Sequence, residues 1–205
     1  STAHSVMKLN SEDNQNRKFI MVQLPEVTDE ESEANKLGFN NLCEIGKERI
    51  RRAGEVILNE SPNEEVDIGF KVFKLNSSNL TKWNPDYDNL EESLLSNENN
   101  IIPDRTDYDL VYEIMLKYGI DLTVPIEEID LNGKTIYSIG FGSLLICLEK
   151  DITINLVENI IKIKKDFDSD ITRVVFKDIG FKSDKDKTNI KETLRVNNID
   201  EVITL

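Results

Sequence analysis

Few of the 205 residues are of types and spacings that could carry chemistry. The chain has one histidine, His4, and two cysteines, Cys43 and Cys147, which stand far apart in apolar surroundings. No zinc site can be built from so few soft ligands. His4 has no serine, cysteine or carboxylate at a spacing that pairs a nucleophile with its base, so a packed or capping histidine is expected. The thiols read as buried groups of a cytoplasmic protein. No residue earns a catalytic or metal-binding assignment from its type and spacing.

Three short motifs invite more. Asn84-Pro85-Asp86-Tyr87 resembles the (Asn/Asp)-Pro-Pro-(Tyr/Phe) signature with which amino-methyltransferases hold the exocyclic amine of a flipped base. The residues before it are polar where a buried strand is needed, and Asp replaces the second proline, so a proline-containing turn is expected. Gly140-Phe141-Gly142-Ser143 resembles a glycine-rich cofactor loop. Such a loop must open a helix, whereas Leu144–Leu148 is strand-like, so a tight strand-to-strand connection is expected. Lys47-Glu48-Arg49-Ile50-Arg51-Arg52 is the one dense basic patch. On a helix Glu48 and Arg52 can pair, and a solvated helix face is favoured over phosphate binding. Asp178 ends a predicted strand, where α/β folds often site function, but a helix or turn cap is the favoured reading. Asp184-Lys185-Asp186-Lys187 reads as a solvated loop.

The elements that must position these residues follow from periodicity. Thr2–Leu9 has a helical face, ended by the polar stretch 10–16. Phe19–Val22 is a continuous apolar run that suits a strand buried on both faces. Thr28 with Glu31 fits a capping box for a short acidic helix stopped by Gly38. Asn41–Leu58 carries an apolar helical stripe, and residues 67–75 alternate as a second strand. Helix–strand–helix–strand is half of a doubly wound α/β domain, and a buried strand at 19–22 lacks a neighbour. Residues 76–104 read as an acidic linker with a short helix near Asn89–Leu95. Beyond it, Thr106 and Asp109 cap a helix that runs to Lys117 and stops at Gly119. Strands at 126–131 and 134–139 flank Asn132-Gly133, a strong hairpin signal. A strand at 144–148, a helix at 153–163, a strand at 173–176, a helix at 189–196 and a strand at 202–205 complete a small, mostly parallel sheet with right-handed crossovers. The fold class expected is α/β.

With 25 basic and 39 acidic side chains the formal net charge is −14, which opposes non-specific binding to nucleic acid. The acidity is local. Residues 76–130 hold 3 basic and 13 acidic groups, whereas residues 131–205 hold 12 of each. No apolar run approaches the roughly 20 residues of a membrane helix, and the start of the chain lacks the basic and apolar regions of a signal peptide.

The stretches STAHSVMKLN, NRKFIMVQLPE, CEIGKERIRRAGEVI and DIGFKVFKLNSSNLTKWN, with RVVFKDIGFKSDKDKTNIKE near the end, resemble in order and spacing the C-terminal region of the Mod subunit of type III restriction-modification systems. The resemblance implies a DNA adenine-N6 methyltransferase that uses S-adenosylmethionine. It makes residues 1–75 the C-terminal part of a Rossmann-like methyltransferase sheet, 76–104 the linker, and 105–205 an accessory domain of hairpin plus βαβαβ. It sets Ser1 and Thr2 just after the family's glycine loop, and Gln23, Leu24, Pro25 and Glu26 at the strand end beside the cofactor ribose. Gln23 stands where an acidic residue is usual, so either Gln23 or Glu26 is the expected ribose contact. Neither the catalytic tetrapeptide nor the glycine loop lies in these residues, so a fragment inactive by itself is expected. Implied partners are DNA, through upstream regions, a restriction (Res) subunit, and a second Mod subunit in a homodimer, with no membrane. The alternative reading is a stand-alone α/β interaction module without enzymatic activity.

Overall fold

Helical apolar stripes and one patterned sheet organise the chain into two compact units, residues 1–73 and 74–205. The structure, a computed structural model, describes residues 2–60, 66–81, 88, 100–170 and 172–205. Ser1, the Asn84–Tyr87 motif and the short helix expected at Asn89–Leu95 lie outside them.

The first unit is built on helices α1 (Thr2–Asp13), α2 (Glu33–Lys36) and α3 (Leu42–Glu60). Ala3 and Met7 of α1 pack against Ile50, Ala53 and Ile57 of α3. Helix α1 outlasts its apolar stripe because Asn10 turns its amide onto the returning chain. Asn10 Nδ2 donates to the Arg17 carbonyl at 2.9 Å and its Oδ1 accepts from Arg17 N–H at 3.0 Å. Asn14, at φ 54°, ends the helix. Helix α2 is one turn and starts later than expected. Asp29 captures Glu31 N–H in a local turn at 2.8 Å, so Ser32 rather than Thr28 becomes the N-cap. Gly38 stops α2 as expected, at φ +87°, with Phe39 N–H on Ala34 O and Gly38 N–H on Asn35 O in a Schellman motif.

The strands expected at 19–22 and 67–75 are not strands. Among the described residues neither segment joins a ladder; both are extended chain. They lie on the helices with strand-like alternation. Phe19, Val66, Ile68 and Phe70 are partly buried on the α1–α3 core, while Ile20 and Val22 are 95% and 92% exposed. Gly54 permits the closest approach, since a Cβ there would stand 3.0 Å from Ile68 Cβ. The reason for the difference is physical. Alternation records which side chains are covered, but a strand also needs a neighbour for its backbone, and these described residues supply none.

The second unit is a three-layer α/β/α sandwich. Its elements are α4 (Asp107–Lys117), β1 (Ile126–Asp130), β2 (Thr135–Ile139), β3 (Leu144–Cys147), α5 (Ile154–Asp166), β4 (Arg173–Phe176), a 3₁₀ turn at Asp178–Gly180, α6 (Asp184–Arg195) and β5 (Glu201–Thr204). The five strands lie in sequence order; β1–β2 and β2–β3 are antiparallel, β3–β4 and β4–β5 parallel. The sheet is therefore mixed, not mostly parallel, because the β2–β3 link is a tight turn with no crossover. Asn132 and Gly133, at φ 58° and 83°, make the expected hairpin turn.

Alternation along β2–β4 divides the core. Ile136, Leu145, Cys147, Val174 and Phe176 face α5 and α6, and Tyr137, Ile139, Leu144, Ile146 and Val175 face α4. All four residues of β3 are buried, as a strand covered on both faces requires. Full burial of each such apolar side chain stabilises the fold by about 1.5–3 kcal/mol. The edge strand β1 presents Glu127, Glu128 and Asp130 to solvent, which opposes unwanted pairing. Thr106 caps α4 in a full capping box with Asp109, and Gly119 ends it, both as expected. Helix α6 begins five residues before the expected Asn189. Ser183 accepts from Asp186 N–H at 3.1 Å, so the Asp184–Lys187 stretch is a capped first turn rather than a loop.

Part of the stretch read as linker adheres to α4. Ser78 Oγ donates to Glu113 Oε1 and Asn79 N–H to Glu113 Oε2, both at 2.6 Å, and Leu80 bridges Ile101. Burial pushes the Glu113 carboxyl up, but those two donors and Lys117 outweigh it and hold the group below its ordinary value.

Candidate functional site

The residues singled out for cofactor contact, Gln23, Leu24, Pro25 and Glu26, form one exposed turn. Proline fixes φ and lacks a donor, which suits the centre of a γ-turn. Glu26 N–H closes that turn on the Leu24 carbonyl at 2.9 Å. The same carbonyl accepts from Gln23 Nε2 at 3.1 Å. An amide nitrogen engaged in this way leaves Gln23 Oε1, a pure acceptor, for another donor. Two acceptor groups thus flank Pro25: the Gln23 amide oxygen and the Glu26 carboxylate.

The start of α3 holds this turn in place. Leu42 N–H donates to the Glu26 carbonyl at 3.0 Å, and Cys43 Sγ donates to the Gln23 carbonyl at 3.4 Å. Cys43 is half-buried, correcting the expectation that both thiols are buried, because it works at the rim of the helix and not in its core. Asn41 caps α3 by accepting from Glu44 N–H at 3.1 Å. Thr2 opens α1 and is exposed.

The other sequence candidates resolve into structural roles. His4 is half-buried on α1. On α3, Lys47 pairs with Glu44 at 2.6 Å and Arg52 with Glu48 at 2.8 Å, as the spacing allows, and Arg51 lies over the Phe70 ring at 5.9 Å. Glu44 and Glu48 thus pair with three of the four cations of the basic patch. The Gly140–Ser143 turn connects β2 to β3 with three successive residues at positive φ, and Gly142 N–H donates to Ser138 Oγ at 3.2 Å. Asp178 opens the 3₁₀ turn and pairs with Lys187 of α6. A concavity of about 180 Å³ beside α5 is lined by Lys164, whose Nζ donates to the carbonyls of Asn197 and Asn198.

Two buried groups are shifted without a catalytic arrangement around them. Burial, then Asp107 and Glu128, pushes the Tyr137 hydroxyl up to about 12, and burial pushes the Cys147 thiol up to about 11. A thiol so raised is a poor nucleophile. Among the described residues no group of three or more His, Cys, Asp or Glu is placed to hold a metal ion, and no helix is long and apolar enough to cross a membrane.

The residues missed by sequence reasoning are those that fasten the turn: Thr28, Asn35, Leu42 and Cys43. Only Thr28 carried a signal, and it pointed to a helix cap.

No protein-family model matches the chain. Curated relatives do. The chain is 31% identical over 201 residues to the Mod subunit of the type III restriction-modification enzyme EcoP15I of Escherichia coli, covering 95% of this chain and 28% of that protein. It is 30% identical over 203 residues to the Mod subunit of EcoPI of Escherichia phage P1, covering 95% of this chain and 29% of the relative. A shorter match, 38% over 74 residues, joins 36% of the chain to the Mod subunit of StyLTI of Salmonella typhimurium. The chain thus spans under a third of the length of these relatives, and almost all of it takes part in the two longer matches. These residues are accordingly homologous to a section of the Mod subunits of type III restriction-modification enzymes.

Proposed function

We propose that this chain is the C-terminal portion of a site-specific DNA adenine-N6 methyltransferase of a type III restriction-modification system. The observation that carries the reading is similarity to two Mod subunits across 95% of the chain. The first unit supports it. Extended segments lie with alternate side chains on α1 and α3 and turn Ile20 and Val22 to solvent, which is how strands lie when their sheet neighbours are elsewhere. In the full protein, residues outside these 205 would pair with them. Residues 1–75 then complete a Rossmann-like, S-adenosylmethionine-dependent fold. Residues 76–104 link it to an accessory domain, 105–205, that supports homodimerisation or docking of the Res subunit.

The donor set of the turn fits the cofactor. Gln23 Oε1 and the Glu26 carboxylate are acceptors suited to the two hydroxyls of a ribose. Leu24 and Pro25 hold those groups apart on a closed turn, and the resemblance to the family adds Ser1 and Thr2 to the cofactor contact. When bound, S-adenosylmethionine supplies the methyl group that is transferred. The residues present bind and orient; the groups that would hold adenine belong to upstream parts of the protein, as does most of the surface that grips DNA.

The test is methyl transfer by the full-length protein, followed as N6-methyladenine in digested DNA; its absence with an intact cofactor site would sink the reading. The 205-residue chain alone is expected to bind neither S-adenosylmethionine at micromolar concentration by calorimetry nor DNA tightly in a low-salt gel shift, given a net charge of −14.

A further inference from the structure

Thr28 is one of the few buried polar residues of the first unit, and its hydroxyl makes two bonds at once. Oγ1 donates to the Phe39 carbonyl at 2.7 Å and accepts from Asn35 Nδ2 at 3.2 Å. Its backbone N–H reaches the Asn40 carbonyl at 3.1 Å, and the neighbouring Val27 bridges Asn41. These contacts close residues 28–41 into a compact loop whose two ends run side by side. One end carries Gln23–Glu26 and the other becomes the first turn of α3, where Leu42 and Cys43 bond that same turn. The Thr28 side chain therefore adds a latch to the main-chain and Cys43 contacts that seat the acceptor turn on the helix.

We propose that Thr28, with Asn35 as its partner, is a positioning residue for cofactor binding: it latches the 28–41 loop and so steadies the turn that carries the acceptors Gln23 and Glu26. This rests on the methyltransferase reading and goes beyond it by assigning affinity for the adenosine end of the cofactor to a residue that does not touch it. The consequence is specific. Loss of the latch weakens ground-state binding of the cofactor and leaves the methyl-transfer step alone, because the transferring groups lie elsewhere in the protein.

The experiment compares wild type, Thr28→Val, Thr28→Ser and Asn35→Ala in the full-length methyltransferase. The readouts are KM for S-adenosylmethionine, kcat, and calorimetric affinity for S-adenosylhomocysteine. Valine keeps the shape and removes both bonds, so KM and Kd should rise about five- to thirtyfold, the scale of one or two lost hydrogen bonds, with kcat within about twofold. Serine keeps the hydroxyl and should stay within about threefold of wild type by the same reasoning. If valine at this buried site prevents folding, Asn35→Ala, which removes only the outer bond, carries the test and should raise KM without lowering kcat. Unchanged KM in a folded Thr28→Val protein, or a fall in kcat with KM unmoved, overturns the latch alone. A folded wild-type protein that binds no S-adenosylhomocysteine overturns the methyltransferase reading as well.

Discussion

The two units use the same vocabulary of amphipathic helix and extended apolar segment, and among the described residues only one of them has a sheet. In the second unit β3 lies between β2 and β4, so its backbone is paired on both edges and its four side chains are covered on both faces. In the first unit the segment 19–22 has one face on a helix core and the other in water. Helices alone can therefore hold an extended segment in place by its side chains. They cannot satisfy its main chain, which is what converts an extended segment into a strand. Among the described residues the second unit pairs its central strand on both edges, whereas the first turns the apolar side chains of Ile20 and Val22 to solvent.

Unfolding experiments can break that contrast. Phe176→Ala empties the centre of the sandwich and should destabilise the second unit by about 3–5 kcal/mol, leaving the first unit's helical signal in place in a urea titration. A single transition affected throughout would mean the units are not separable. Thr106→Ala removes a capping box and should cost about 1 kcal/mol in the same transition, with loss of amide protection confined first to α4. The Ser78–Asn79 clasp on Glu113 gives a pH signature. The folded carboxyl titrates below its ordinary value of 4.5, so its contribution is whole above that value and lost as pH falls through the lower, folded value. The Asn79 amide resonance should follow that acid titration and cease to do so in Glu113→Gln. The smallest effect is the sharpest comparison. Ile20→Ser should change the stability of this chain by no more than about 0.5 kcal/mol, as exposed sites do; if the proposed full-length methyltransferase pairs a strand against this segment, the same change should impair its folding.

Much of the second unit was legible because its signals are local. The Asn132-Gly133 turn, the Thr106–Asp109 capping box and the helix stop at Gly119 each lie within a few residues and encode their own geometry. The start of α6 was missed because Asp184–Lys187 has no apolar member to betray a helix, only Ser183 as its cap. In the first unit periodicity reported correctly that Ile68 and Phe70 are covered, but Val72 is exposed, and the run at 19–22, expected to be buried on both faces, turns Ile20 and Val22 to solvent. The order of elements had already left the segment 19–22 without a neighbour, and among the described residues none pairs with it. The Gln23–Glu26 turn came to notice through resemblance to a family and through no property of its own. The Thr28 bonds to Asn35 and Phe39 join residues seven and eleven positions apart, a relation no short pattern expresses.

The Asn132-Gly133 turn has a kinetic consequence. It brings β1 and β2 together by closing the shortest of loops, and the Gly140–Ser143 turn adds β3 almost as cheaply, whereas β4 meets β3 only after the chain has crossed the length of α5. The entropy of ring closure grows with the logarithm of the segment enclosed. The antiparallel meander is therefore expected to assemble first and to template the parallel half, since hairpins close in about 1–10 μs. Substitutions in β1–β3 should then slow folding, while those in β5 chiefly hasten unfolding.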